Sequence, residues 1–404
     1  MAAMSERGPR ILIVAGEESG DAHAAELVRG LRSLLPHAEI EAWGGERLRA
    51  AGAHLHENIV QHAVMGLFPV LLKLFYFIGL YLRIVRRIRR WRPDLVIPVD
   101  FPGLNLRIAR RAKRLGARVL YYVSPQVWAW WRWRIRRIGG AIHKMLVLFP
   151  FEEALYRERG IEAEYVGHPL LDRHASPPPP HAQSRSDIGA ADDRHLVALL
   201  PGSRRGELRR LVPLVLDAAV RLRALRPAVR FVLVAANRDF AEAARRGAAA
   251  RGLEVQIVQG RMAEVLSAAR LAIVASGTAT LECLYFRVPM VIVYRLDPLS
   301  WLGAKLVLAT RHIGLANIIA GDGIVPEILD WRHRPERVVQ AALPLLDDGE
   351  ARQRCLQQLE RARALLGEPG ASERAAHAAL RLLGAGRELA APRTSCPVPT
   401  ESRS

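Results

Sequence analysis

Val64-Met65-Gly66-Leu67-Phe68-Pro69-Val70-Leu71-Leu72-Lys73-Leu74-Phe75-Tyr76-Phe77-Ile78-Gly79-Leu80-Tyr81-Leu82 is an apolar run with a single charge, and it leads directly into Arg83, Arg86, Arg87, Arg89, Arg90 and Arg92. How this run is read decides the fold. Its 19 residues are close to the length of a transmembrane helix. A strand-like stretch precedes it at 11–14 and another follows at 95–99, and a single crossing would put the two on opposite sides of a bilayer, unable to pair. The favoured reading is a surface-bound, partly inserted element. Met65, Leu67, Phe68, Leu71, Leu72 and Phe75 then dip into the acyl boundary, with Arg83, Arg86 and Arg87 at anionic headgroups. The competing reading is a buried core helix followed by a solvated charged one.

Charge is as unevenly spread as hydropathy. The chain carries +19, and residues 58–144 hold 18 Lys or Arg against Asp94 and Asp100 alone, so +16 of the total lies there. A basic nucleic-acid-binding protein would also have a pI near 10.9. The aliphatic and aromatic density beside the arginines suits lipid better than phosphodiester, and no nucleic-acid partner is expected. With 404 residues, 50% of them hydrophobic, the chain is long enough for two α/β domains with separate cores. Cys283, Cys355 and Cys396 have no metal-ligand spacing, which predicts a reducing compartment without structural disulfides. The start, 1–10, is short and polar, and 11–15 is too brief for a signal-peptide core, so a cytoplasmic protein that reaches the membrane from inside is expected.

Working outward, apolar strands alternate with helical stretches: strands at 10–15, 39–43, 95–99, 119–123 and 144–148, helices at 21–35 and 105–115. Such alternation predicts a parallel, doubly wound sheet. Residues 173–194, with four prolines at 177–180, read as a linker. The pattern restarts with strands at 196–200, 230–235, 254–258, 271–275 and 290–294 and helices at 207–225, 239–251 and 279–286. The expected division is a first domain over 1–172, the linker, a second domain over 195–365 across a cleft from the first, a helix at 366–384, and a disordered tail at 385–404.

Ligands of open α/β sheets bind at the carboxyl ends of strands, and four loops there carry chemistry. Gly16-Glu17-Glu18-Ser19-Gly20-Asp21 lacks the dinucleotide spacing, and its acidic pair favours sugar hydroxyls over phosphate; a structural turn is the alternative. Asp100, ending the strand 95–99, is placed for general-base work, or else caps the next helix. In the second half, Pro201-Gly202-Ser203-Arg204-Arg205-Gly206-Glu207 and Ser276-Gly277-Thr278-Ala279-Thr280-Leu281-Glu282 each join a strand to a helix and offer backbone N–H groups and hydroxyls to a diphosphate. Glu282 is placed to accept from ribose hydroxyls; ordinary capped helices are the alternative. Trp128, Trp130, Trp131 and Trp133, four of the eight Trp residues, suit a sugar-binding wall or a membrane interface.

These segments, with Phe149-Pro150-Phe151-Glu152, Val166-Gly167-His168-Pro169-Leu170 and Asn317-Ile318-Ile319-Ala320-Gly321, resemble the lipid-A-disaccharide synthases, bacterial glycosyltransferases. The likeness extends over about three quarters of the chain, in the family's order. It implies an α/β GT-B fold, two Rossmann-like domains facing a cleft with a C-terminal helix crossing back to the first. It also implies transfer of a sugar from UDP-2,3-diacylglucosamine to 2,3-diacylglucosamine 1-phosphate, at the inner membrane. In the mechanism expected, Asp100 is the base and Glu18, Ser19, Gly20 and Asp21 bind the acceptor. Ser203, Arg204, Glu207, Ser276, Gly277, Thr278, Thr280, Glu282 and Asn317 bind the UDP-sugar. No Asp-x-Asp metal motif is present, and neither metal nor cofactor is expected. The chain departs from the family's pattern at Gly103, where an acidic residue is common, at Ala316, where proline is usual, and at Asp330, where glutamine is frequent. An epimerase or another lipid-linked transferase of the same fold is the alternative enzyme; the oligomeric state is left open.

Overall fold

The structure, a computed structural model, describes residues 8–60, 74–125, 135–174, 181–188, 195–203, 205–295 and 312–390. The described chain divides into two compact units. One comprises the chain up to Pro125, Ile135–Pro169 and the part from Gly370 onward; the other is Leu170–Pro369.

The first unit is built on seven strands: β1 (Arg10–Ala15), β2 (Glu39–Gly44), β3 (His54–Asn58), β4 (Leu95–Val99), β5 (Arg118–Tyr122), β6 (Lys144–Val147) and β7 (Ala163–Tyr165). Their order is β3-β2-β1-β4-β5-β6-β7, and every pairing is parallel. Both faces of such a sheet are covered, which is why its central strands are continuous apolar runs rather than alternating ones. Ile11, Leu12, Ile13 and Val14 of β1 and Leu95, Val96 and Ile97 of β4 have no exposed surface, each contributing roughly 1.5–3 kcal/mol of burial. β1 and β4 pair directly, Ala15 opposite Val99. That pairing rules out a single membrane crossing between them.

The second unit has β8 (His195–Leu200), β9 (Val229–Ala235), β10 (Gln256–Gln259), β11 (Leu271–Ala275), β12 (Met290–Arg295) and β13 (Glu327–Asp330), in the order β10-β9-β8-β11-β12-β13 and again all parallel. Each sheet reverses direction once, between β1 and β4 and between β8 and β11. These are the two switch points. Both units are Rossmann-like, and the fold is of the GT-B type.

The chain returns to the first unit in the helix Ala371–Ala390, which packs on the helix Glu18–Leu34. A Cβ at Gly30 would lie 3.1 Å from Ala376 Cβ and 3.3 Å from the Ser372 carbonyl, so glycine there lets the helices approach. Arg381 pairs with Glu164 at 2.6 Å, tying the returning helix to β7. This helix runs to Ala390, six residues beyond 384, where the expected helix ended. The linker expected at 173–194 likewise contains a helix, His181–Asp187. Residues 175–180, 189–194 and 391–404 lie outside the described residues.

Of the apolar run, residues 61–73 also lie outside, with Met65, Leu67, Phe68, Leu71 and Leu72 among them. The remainder forms the helix Leu74–Trp91. Leu80, Ile84, Val85 and Ile88 are buried on one face, while Phe75 (85% exposed), Ile78 (47%) and Leu82 (45%) lie on another. No described helix is long and apolar enough to cross a membrane. Two arginines expected at headgroups serve the fold as well. Arg87 forms a two-pronged ion pair with Glu41 of β2, whose other partner is His56 Nε2 at 2.8 Å. Burial alone would raise the Glu41 pKa, but the hydrogen bonds from Arg87 and His56 hold it below the usual carboxylate range. Arg83 pairs with Glu57 at 2.9 Å, and Tyr76 donates to the same carboxylate. These two arginines clamp the helix to β2 and β3, whereas Arg86, Arg89 and Arg90 are exposed.

Candidate active site

The first candidate site is the β1–β4 switch point. β4 is followed by Asp100 and Phe101, both left-handed with φ of 48°, a conformation that costs a non-glycine residue of order 1–3 kcal/mol. Buried polar groups hold the turn. The Asp100 N–H donates to the Tyr122 carbonyl at 3.0 Å, and the Asp100 carbonyl accepts from Tyr121 Oη at 2.7 Å and Asn105 Nδ2 at 2.8 Å. Burial first, and then the charge of Asp100, pushes the Tyr121 phenol well above its ordinary pKa, so it remains a donor. The Asp100 residue itself is partly exposed. The alternative role for Asp100, as cap of the following helix, is not met: Phe101 occupies the cap position of Pro102–Arg114, without a side-chain cap.

Beside it runs the segment from Gly16 to Asp21, whose residues from Glu18 onward form the first turn of the helix Glu18–Leu34. A Cβ at Gly16 would sit 2.5 Å from the Phe101 ring, and one at Gly20 would lie 3.9 Å from Asp100 Cβ. Glycine at 16 makes room for the Phe101 ring, whereas a Cβ at 20 would make only ordinary contacts. Glu18 is exposed, 3.9 Å from an Arg47 nitrogen, and Ser19 is partly exposed. Asp21 is different. Its buried carboxylate accepts from Gly45 N at 2.7 Å and Arg47 N at 3.1 Å, fixing the loop after β2. The sequence reading gave it no such role.

Two further buried groups, not singled out as site residues from the sequence, shape this end of the sheet. Asn105 Nδ2 also reaches the carbonyls of Val99 (3.0 Å) and Val14 (3.2 Å), while its Oδ1 is buried without a hydrogen-bond partner. Glu152 accepts from Ser124 Oγ at 2.6 Å and from the N–H groups of Leu148 and Phe149, anchoring the chain just before the tryptophan-rich segment. The Trp residues at 128, 130, 131 and 133 lie outside the described residues. The available signal was a polar residue within an otherwise apolar helical or strand-end pattern.

The second candidate site is the β8–β11 switch point. Val274 pairs with Leu200, so the loops leaving β8 and β11 are neighbours. Ser203 is exposed, Arg204 lies outside the described residues, and Gly202 has φ of +101° with its missing Cβ 2.8 Å from Glu207 Oε2. Gly277, at φ of +150°, has nothing within 4 Å of where a Cβ would be, leaving open space over its backbone. Ser276 and Thr278 flank it, both partly exposed.

The hydroxyls and amide expected at the ligand make internal bonds. Thr280 Oγ1 donates to the Gly277 carbonyl at 2.7 Å, and Ser276 Oγ to the Ile313 carbonyl at 2.8 Å. Buried Asn317 donates to the Val325 carbonyl at 2.9 Å and to Glu327 at 2.7 Å, and accepts from Val325 N at 3.0 Å. Glu327 in turn accepts from Ile313 N and Gly314 N. One network thus joins the loop after β11 to residues 313–317. Glu282 lies 3.9 Å from an Arg173 nitrogen; burial raises its pKa, with Arg173 opposing. Among the described residues no cluster of His, Cys, Asp and Glu could hold a metal ion.

The family model described as lipid-A-disaccharide synthetase matches residues 11–382. The lipid-A-disaccharide synthase of Myxococcus xanthus is 41% identical over 379 residues, 94% of this chain and 99% of that protein. That of Anaeromyxobacter sp. (strain K) is 43% identical over 375 residues, 93% and 97% of the two chains. Among solved structures, the UDP-GlcNAc 2-epimerase of Neisseria meningitidis bound to UDP-GlcNAc aligns with a TM-score of 0.62 at 11% identity, covering 92% of this chain and all of that one; this likeness is one of fold. With a family match across both sheets and relatives above 40% identity over nearly their whole length, the chain belongs to the lipid-A-disaccharide synthases, a family of glycosyltransferases.

Proposed function

We propose that the protein transfers 2,3-diacylglucosamine from UDP-2,3-diacylglucosamine to the 6-hydroxyl of 2,3-diacylglucosamine 1-phosphate, releasing UDP and the β-1,6-linked disaccharide 1-phosphate. The observation that carries the reading is the family match over residues 11–382. Asp100, at the strained end of β4, takes the proton of the 6-hydroxyl as that oxygen bonds to the donor's anomeric carbon. The bond from that carbon to the diphosphate oxygen breaks, its electron pair leaves with UDP, and the configuration inverts. Glu18, Ser19 and the backbone at Gly20 hold acceptor hydroxyls; Asp21 supports them through the loop after β2. Arg204 and the N–H groups at Ser203, Ser276, Gly277 and Thr278 stabilise the leaving diphosphate. Glu207 and Glu282 complete the UDP-sugar site, while Thr280 and Asn317 act through the loops they brace.

Both substrates carry acyl chains, and the helix Leu74–Trp91 supplies a surface for a membrane. Phe75, Ile78 and Leu82 are exposed at helical spacing, and exposed Arg86 and Arg89 continue the same stripe. Apolar contact plus arginine at anionic headgroups describes peripheral attachment to the inner membrane.

The test is incubation of donor and acceptor in detergent with EDTA, following UDP and disaccharide together by mass spectrometry. Acceptor-dependent appearance of both products is expected. UDP without disaccharide would mean hydrolysis or another acceptor. For the membrane, Phe75→Asp with Ile78→Asp should abolish sedimentation with phosphatidylglycerol vesicles and leave turnover in detergent intact. Unchanged sedimentation would remove this stripe from the account.

A further inference from the structure

Consecutive left-handed residues at Asp100 and Phe101 persist only if the surroundings over-determine them, and here the constraint converges on one peptide group. Both acceptor positions of the Asp100 carbonyl are taken, one by Tyr121 Oη at 2.7 Å and one by Asn105 Nδ2 at 2.8 Å. The same Nδ2 lies 3.0 Å from the Val99 carbonyl and 3.2 Å from that of Val14. One amide therefore bridges the carboxyl ends of β4 and β1. Asn105 sits in the first turn of the helix Pro102–Arg114, yet its side chain reaches back to strand carbonyls, not to helix N–H groups. The Phe101 ring fills the space a side chain at Gly16 would need. The peptide plane after Asp100 is thus fixed from two sides, and with it the direction of the Asp100 Cα–Cβ bond.

We propose that Asn105 and Tyr121 are positioning residues for the transfer: by pinning the Asp100 carbonyl they aim the Asp100 carboxylate at the acceptor hydroxyl. The inference rests on the reading of Asp100 as the base. It differs from a purely structural role in one consequence. If the two side chains act through the carboxylate, their removal slows the enzyme only while the carboxylate is present.

The experiment is a double-mutant cycle on the full-length enzyme, with kcat, both KM values and thermal midpoint measured for each variant. Tyr121→Phe removes one oxygen and keeps the ring; Asn105→Ala removes the three-way amide. Expected for Tyr121→Phe is a fall in kcat of roughly tenfold, with both KM values little changed, and for Asn105→Ala a fall of roughly 100-fold, the scale of a small misplacement of a reacting group. In an Asp100→Asn background neither substitution should slow the residual rate further. Wild-type kcat in Tyr121→Phe, or an equal factor lost in both backgrounds, would overturn the proposal while leaving Asp100 as base. Near-normal turnover of Asp100→Asn itself would overturn the base reading, and this inference with it. Should Asn105→Ala not fold, the Tyr121→Phe arm decides alone.

Discussion

At the β1–β4 switch point the backbone is strained and pinned around one carboxylate, whereas at the β8–β11 switch point polar side chains brace one another and leave bare backbone at the strand ends. The two sheets have the same winding, and both place short loops at the reversal of strand order. They differ in where the polar atoms are directed. Asn105 and Tyr121 bind the main chain of Asp100, a residue that remains partly exposed. Ser276, Thr280 and Asn317 bind loop carbonyls or the half-buried Glu327 carboxylate, and open space lies over Gly277. A charge-moving step needs one group in one orientation; a diphosphate, with many acceptor oxygens, is served by several N–H donors in a rigid loop.

The strongest challenge to this contrast is a crossed pair of variants. Asp100→Asn should lower turnover by roughly 10²–10⁴-fold, the range for a lost general base, and leave UDP affinity by calorimetry unchanged. Gly277→Ala should do the reverse, weakening UDP by roughly tenfold, about the worth of one hydrogen bond. If Asp100→Asn weakens UDP as much as Gly277→Ala does, the division of labour is wrong. A smaller effect tests the bracing role in the second unit. Asn317→Ala strips partners from Val325 and Glu327 and should cost about 1–3 kcal/mol in chemical denaturation. Loss of donor affinity without loss of stability would instead make Asn317 a ligand.

The smallest effect concerns pH. His143 Nδ1 accepts from Val119 N at 3.0 Å, so the folded state needs the neutral ring. Burial first, then Lys113 and Arg118, lowers its pKa, with Glu162 opposing. Because the folded pKa lies below the unfolded one, the unfolded chain takes up the proton first. The stability contributed is present above the ordinary value of 6.5 and is lost as pH falls from there through the folded pKa. His143→Asn keeps an acceptor that does not titrate, and its melting temperature should decline less over that interval. Parallel declines in both proteins would dismiss His143 as the source.

The central strands were legible because strands buried on both faces are apolar along their whole length. Three edge strands were missed. β3 reads His-Leu-His-Glu-Asn, β7 is only Ala-Glu-Tyr, and β13 is Glu-Ile-Leu-Asp. An edge strand is held largely by main-chain hydrogen bonds, which leave little mark on side-chain pattern. Strand-end loops were legible too, since glycine and short polar residues cluster where an apolar run stops. The roles of their side chains were not. Asp21, Asn317, Arg83 and Arg87 have the chemistry of ligand or headgroup contacts, and all four have partners within the fold.

By itself the sequence determined the alternation of strand and helix, hence two parallel sheets, the loops where ligands meet them, and an apolar-cationic segment between β3 and β4. Those properties follow from local pattern and from the periodicity of burial. Only the tertiary structure decided which polar atoms face a substrate and which face the protein, because a hydrogen bond depends on what lies within about 3 Å in space, and Asn105 lies 91 positions from the Val14 carbonyl it binds.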